Sequence, residues 1–243
     1  MKLTPELLAE APSYINPIKE RELFLRGHKL PTIENLGVSR DTNDSIDFTD
    51  NDIRYLGNFP KFLRLKTLLL SRNRITTIDA TLAKSVPNLS CVILTSNSIG
   101  ELADLDILGE LPRLEVLAVM DNPVAQKEYY REWLIWRCHH VRYLDFVKVK
   151  DSERKRAKAL FEGKSGELTD LGAMIKGLKT RTFEVGGTEN GEKSAGPMRL
   201  TEAEQRQIEE AIKNAKSLNE VARLEGMLRE GRIPQDKDVQ MAG

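Results

Sequence analysis

Cys138, His139 and His140 set three potential metal ligands side by side. Contiguous residues cannot close a tetrahedral site alone, and one further Cys and one further His lie far away in the chain, so no metal site is expected. Gly163-Lys164-Ser165 has the ending of a phosphate-cradling loop, but Lys158 stands where that loop needs its first glycine. Asp47, Asp50 and Asp121 read as surface carboxylates without a nucleophile or base beside them, which favours contact with a partner over acid–base chemistry. No catalytic residue and no cofactor is expected. The chemistry that remains is binding.

Charge narrows what can be bound. With 37 basic and 37 acidic side chains among 243 residues, no global field collects nucleic acid or membrane lipid. A local exception runs from Arg142 to Lys158, where basic residues outnumber acidic ones. Its members Lys148, Lys150, Arg154 and Arg156 are the candidates for a phosphate-contacting edge, the plainer alternative being a solvated helix face. Two cysteines, Cys91 and Cys138, make no disulfide framework and fit a reducing compartment. Charged residues interrupt the apolar ones between Met1 and Ala11, and no apolar run approaches a membrane-spanning length, so neither signal peptide nor membrane contact is expected.

The elements that must position a binding surface are written in a repeat. Five rungs recur: Leu23/Leu25/His28, Ile46/Phe48/Asn51, Leu68/Leu70/Asn73, Val92/Leu94/Asn97 and Leu117/Val119/Asn122, their last members 23, 22, 24 and 25 residues apart. Leu30, Ile53, Ile75, Ile99 and Val124 each follow by two. This is the leucine-rich-repeat pattern, and it predicts an α/β fold: a right-handed solenoid with parallel strands on its concave face and caps at both ends. The Asn can bond backbone groups that the turn leaves unpaired, giving a ladder of stacked amides. His28, beside the N-terminal cap, is expected to stand in for the first Asn. Each repeat closes with further apolar residues (Ile33 and Leu36, Leu56 and Phe59, Ile78 and Leu82, Leu102 with Leu105 and Leu108) that only a stacked neighbour can bury.

Outside the rungs, Thr4-Pro5 opens a short helix and Asn16-Pro17 repeats that start signal, so residues up to about Glu22 form the N-terminal cap. Tyr129, Tyr130, Trp133, Leu134, Ile135 and Trp136 supply the bulk of the C-terminal cap. The expected organisation is a repeat domain over 1–162, a flexible linker over 163–199, a helical docking tail over 200–234 and a disordered end over 235–243.

Alternation within each strand picks out the binding face. Phe24 and Arg26; Asp47, Thr49 and Asp50; Leu69, Ser71 and Arg72; Ile93, Thr95 and Ser96; and Ala118, Met120 and Asp121 point to the concave side. Leu69, Ile93 and Ala118 form an apolar stripe bordered by Arg72 and Asp50, which suits one amphipathic helix laid across the strands.

Several ordered segments carry a closer resemblance: ELFLRGHKLPTIENLG from Glu22, IDFTDNDIRYLGNFP from Ile46, RLKTLLLSRNRI from Arg64, ILTSNSIGELADLDIL from Ile93, NPVAQKEYYR from Asn122 and VRYLDFVKVKDSERKRA from Val141. KTRTF from Lys179 and AIKNAKSLNEVARLEGMLREGRIP from Ala211 extend it. Together they resemble the U2 small nuclear ribonucleoprotein A-prime family of the spliceosome over nearly the whole chain. The departures are His28 and the lack of a long acidic extension after Pro234. The resemblance implies a nuclear, non-enzymatic subunit that clasps a helix of the RRM-domain B-double-prime protein, the pair binding a stem-loop of the U2 small nuclear RNA mainly through that partner, with the tail contacting other spliceosomal proteins. An alternative class on the same scaffold is a regulatory subunit of a protein phosphatase. A histone-binding repeat protein is disfavoured by the mixed charge of residues 213–238.

Overall fold

The computed structural model describes residues 2–163 and 166–179. The expected tail over 200–234, the end over 235–243 and the linker beyond residue 179 lie outside the described residues.

Chain order begins with α1 (Pro5–Glu10), β1 (Ser13–Ile15), β2 (Arg21–Phe24), β3 (Ser45–Asp47), β4 (Tyr55–Leu56), β5 (Thr67–Leu69), β6 (Thr77–Ile78) and α2 (Leu82–Ser85). It continues with β7 (Cys91–Ile93), β8 (Val116–Ala118), α3 (Tyr130–Arg137), β9 (Tyr143–Leu144), β10 (Val147–Lys148), α4 (Asp151–Phe161) and α5 (Asp170–Gly177). The main sheet has eight strands in the order β1-β2-β3-β5-β7-β8-β9-β10. Neighbours from β2 to β9 are parallel, whereas β1 and β10 close the two ends as antiparallel hairpins. Across the coil, β4 and β6 form a second, two-stranded sheet, and 3-10 turns at Leu36–Val38, Leu102–Glu110 and Pro123–Gln126 fill the outer wall.

The period of two explains the core. Leu23, Ile46, Leu68, Val92 and Leu117 turn inward together because parallel register sets them side by side, and all are buried. Leu25, Phe48, Leu70, Leu94 and Val119 follow on the same side, and Leu30, Ile53, Ile75, Ile99 and Val124 fill the bend. Each large aliphatic buried this way stabilises by on the order of 1.5–3 kcal/mol. No repeat can bury its own set, so the stabilisation is shared between neighbours.

The Asn ladder stitches rung to rung. Asn97 Nδ2 donates to Leu70 O in the preceding rung and to Leu94 O in its own, both at 2.9 Å, and its Oδ1 accepts from Ile75 N–H at 3.0 Å. Asn51, Asn73 and Asn122 repeat this three-way pattern. His28 does not take part as expected: it is half-buried and has no counterpart of these bonds among the described residues. The ladder bond reaches back to a carbonyl of the previous parallel rung, and behind β2 lies the antiparallel β1 instead.

The N-terminal cap departs from expectation at Asn16-Pro17. Thr4 Oγ1 does accept from Leu7 N–H to cap α1. Asn16, however, uses its Oδ1 to accept from Ile18 and Glu20 N–H, at 3.1 and 2.9 Å, and so makes the turn of the β1–β2 hairpin rather than a helix start. At the other end Trp133 is fully buried, edge-on to Phe161 at 5.0 Å and 5.2 Å from the Trp136 ring, with Nε1–H donating to Asp106 Oδ1. The stretch expected as linker from residue 163 is helical over Asp170–Gly177. Thr169 Oγ1 accepts from Gly172 N–H, and Leu171 and Ile175, one turn apart, reach the core.

Asp145 finishes the parallel ladder. Where each earlier rung offers a backbone carbonyl to its neighbour, Asp145 Oδ1 accepts from Val119 N–H at 2.8 Å, and its Oδ2 accepts from the Tyr130 hydroxyl at 2.9 Å. Burial, then the charge and hydrogen bond of Asp145, push the Tyr130 hydroxyl well above its ordinary pKa. Asp145→Ala strands both donors and is expected to cost about 1–3 kcal/mol in a urea melt; an unchanged midpoint would remove this closing role.

Candidate partner-binding face

Register sorts the concave surface into rows. The row nearest the strands' N-terminal ends is Glu22, Ser45, Thr67, Cys91, Val116 and Tyr143. Two residues on come Phe24, Asp47, Leu69, Ile93 and Ala118. By the same step Arg26, Thr49, Ser71, Thr95 and Met120 make the third row. The second and third rows are those expected from the sequence. The first is absent from that expectation, although carrying the alternation one step back, to the residue before each rung's first apolar side chain, reveals it.

Asp50, Arg72, Ser96 and Asp121 differ from their expected placement. They lie past the strands in the left-handed region, with φ of 61, 54, 58 and 57°, beside Gly27 at 76° in the first rung. Their N–H groups still bond forward: Asp50 to Ser71 O, Arg72 to Thr95 O and Ser96 to Met120 O, at 2.9 to 3.0 Å. These residues form a rim along the strands' C-terminal ends. Ser96 Oγ donates to Asp121 Oδ2 at 3.3 Å.

Within the stripe, Leu69 and Ile93 are half-buried and adjacent in register. Ala118 is fully covered, since a lone methyl does not clear the surrounding side chains. Asp47, expected at the surface, is 6% exposed, its Oδ1 accepting from Thr49 N–H at 2.8 Å. Phe24 leans on Tyr14 with ring centroids 6.4 Å apart. Glu22 is held as an acceptor by the Tyr14 hydroxyl, Asn16 Nδ2 and Ser45 Oγ. Beside Ile93, the Thr95 hydroxyl is buried without a hydrogen-bond partner among the described residues, a polar atom that an incoming chain can satisfy. Tyr14 and Tyr143, each 44% exposed, stand at the two ends of the face.

Cys91 belongs to the first row. Burial, then the charge of Glu20, push its thiol up to about 11 from 9.0. Iodoacetamide at pH 8 is therefore expected to alkylate it about 100-fold more slowly than an unperturbed cysteine; reaction at the ordinary rate would mean an open, solvated thiol. Cys138 turns into the core with its thiol pushed up to about 12 by burial, while His139 and His140 face outward, so the three neighbours do not converge.

The basic candidates part company. Lys148 and Lys150 are exposed at the end of β10 and just ahead of α4. Arg154 instead clamps the preceding loop, Nη1 donating to His139 O and Nη2 to Val141 O, and Arg156 pairs with Glu132 at 3.2 Å. Lys164 and Ser165 lie outside the described residues.

Stacked rungs, an Asn ladder and a strand-lined hollow define a leucine-rich-repeat protein, and the leucine-rich repeat family profile matches residues 1–171. The U2 small nuclear ribonucleoprotein A' of Neurospora crassa is 53% identical over 241 residues, covering 96% of this chain and 95% of that one. Its counterpart in Homo sapiens is 45% identical, covering 96% and 90%. The crystal structure of the Drosophila melanogaster SNF/U2A' complex holds a chain with a TM-score of 0.65 and 48% identity, covering 68% of this chain and 95% of that one. The chain belongs to the U2 small nuclear ribonucleoprotein A' family.

Proposed function

We propose that this chain is a non-enzymatic nuclear subunit of the spliceosomal U2 small nuclear ribonucleoprotein, acting in pre-mRNA splicing. Its concave face grips one helix of an RRM-domain partner of the B-double-prime kind. The observation that carries this reading is the half-buried Leu69–Ile93 pair in the middle of the strand rows, beside a Thr95 hydroxyl that no described residue satisfies. Apolar surface framed by polar rows suits an amphipathic helix, whose own backbone bonds are already satisfied. Phe24, Ser71 and Met120 extend that contact. Arg26, Thr49, Asp50, Arg72 and Asp121 border it, where charge sets orientation more than affinity. Asp47 and Ala118 shape the floor from beneath.

Sequence-reading of the RNA stem-loop then falls to the partner, in keeping with equal numbers of basic and acidic side chains here. Lys148 and Lys150 are the exposed cations through which this chain supports the RNA, while Arg154 and Arg156 hold the cap that presents them. Residues 200–234 are assigned to docking on other spliceosomal proteins. Calorimetric titration of the full chain with a B-double-prime-type RRM protein, followed by the U2 stem-loop, tests the proposal. One-to-one pairing and tighter RNA binding by the pair are expected; absence of pairing overturns it.

A further inference from the structure

A groove of about 830 Å³ runs along the opposite edge of the sheet from the αL rim, at the N-terminal ends of the strands. Two ladders line it. Arg64, Asn88, Arg113 and His140 hold one position in successive rungs, and Lys66, Ser90, Glu115 and Arg142 the position two residues later. Between them Leu65, Leu89, Leu114 and Val141 turn into the core, so the flanking polar side chains are forced outward into the groove. The second ladder is held in register by its backbone: Ser90 N–H bonds Lys66 O, Glu115 N–H bonds Ser90 O and Arg142 N–H bonds Glu115 O.

The lining is cationic in excess of its own carboxylates. Asp44 is held by Arg64 and Lys66 at 3.1 and 3.3 Å, and Glu115 lies 3.7 Å from Arg142. Burial opposes ionisation of Asp44, yet the bonds from Arg64, Arg21 N–H and Lys66 hold its carboxyl below the usual range, so it stays an anion already engaged. Arg113 is exposed and has no ion pair or hydrogen bond among the described residues. At the end of the groove the exposed His139 and His140 rings lie 4.0 Å apart, and burial, His140 and the Arg154 charge lower the His139 pKa.

We propose that this groove binds a single RNA strand, its phosphates on the guanidinium and ammonium groups and a base against the His139–His140 rings. Guanidinium forks match phosphate oxygens, and a π-face beside a cationic track is the combination single strands use. Three strand steps of about 4.8 Å separate Lys66 from Arg142, about 14 Å in all, or about four stacked nucleotides at roughly 3.4 Å each. An acidic peptide meets the same cations but has no use for the ring pair. The groove is distinct from the apolar pair on the concave face and does not rest on the helix-gripping proposal.

The test is fluorescence anisotropy of the full chain with a short labelled oligouridylate between about 50 and 200 mM salt. The wild-type chain is expected to bind. Arg113→Glu with Arg142→Glu is expected to weaken binding at least about tenfold and to flatten the salt slope by about 1.4, because two phosphates are no longer neutralised. His140→Ala is expected to weaken binding without changing that slope, which separates stacking from charge and guards against misfolding of the double variant. Wild-type chain without affinity, or weakening produced instead by Lys148→Glu with Lys150→Glu alone, overturns the proposal. So does a polyglutamate competitor displacing the RNA as well as unlabelled oligouridylate does. Pairing with the RRM protein, measured on the same variants, is expected to be unchanged.

Discussion

Ile93→Asp is expected to lower affinity for the proposed RRM partner at least 100-fold while leaving the repeat domain folded. Ile93 is half-buried in the second row, with Leu69 beside it and Ala118 covered on the other side. In the free chain a carboxylate there keeps access to water, so the melting midpoint should move little. Under a docked apolar helix it loses that water and gains no partner, a penalty of several kcal/mol, and each 1.4 kcal/mol is about tenfold in affinity. Calorimetry and a circular dichroism melt on one preparation separate the two effects. Wild-type affinity in a folded variant would show that the hollow is not the contact.

Asn97→Ala should do the reverse, unfolding the stack more readily without touching the face. Its side chain satisfies Leu70 O, Leu94 O and Ile75 N–H, all within the buried bend between rungs. Asn97 is 8% exposed, so water cannot readily replace those bonds. Three backbone groups left short, at about 1 kcal/mol or more each, give roughly 3 kcal/mol. For a domain of this size that is a fall of roughly 6–12 °C in Tm. A midpoint within about 1 °C of wild type would mean the ladder contributes no net stability. Because Asn51, Asn73 and Asn122 repeat the pattern, the same loss is expected at each.

Much of this fold was legible in the sequence because a strand's period of two is strict and the repeat supplies its register five times over. Leu23 to Leu117 fell on the core side without exception, and the Asn positions announced the bend. What escaped was set by neighbours rather than by spacing. Nothing in the spacing says that the Ala118 methyl is covered or that Asp47 folds back on Thr49 N–H. The left-handed turn at Asp50, Arg72, Ser96 and Asp121 was hidden because only the first rung spells it with glycine, Gly27. His28 broke the pattern for a reason visible only in topology, the antiparallel β1 behind it. Asn16-Pro17 has two meanings locally, and the hairpin partner decided between them. For the face itself, stopping the alternation one residue short omitted the whole row of Glu22, Ser45, Thr67, Cys91, Val116 and Tyr143.

The antiparallel hairpins at the two ends of the sheet carry a last consequence. With β1 and β10 turned back on their neighbours, no further rung can join in register, so the hollow has a fixed span of five strand steps from β2 to β9. At about 4.8 Å per step that is about 24 Å, the length of a helix of about sixteen residues. The fold thus acts as a gauge: a guest helix of about that size can be covered from end to end, and any longer one must overhang, leaving its surplus turns free for something else to recognise.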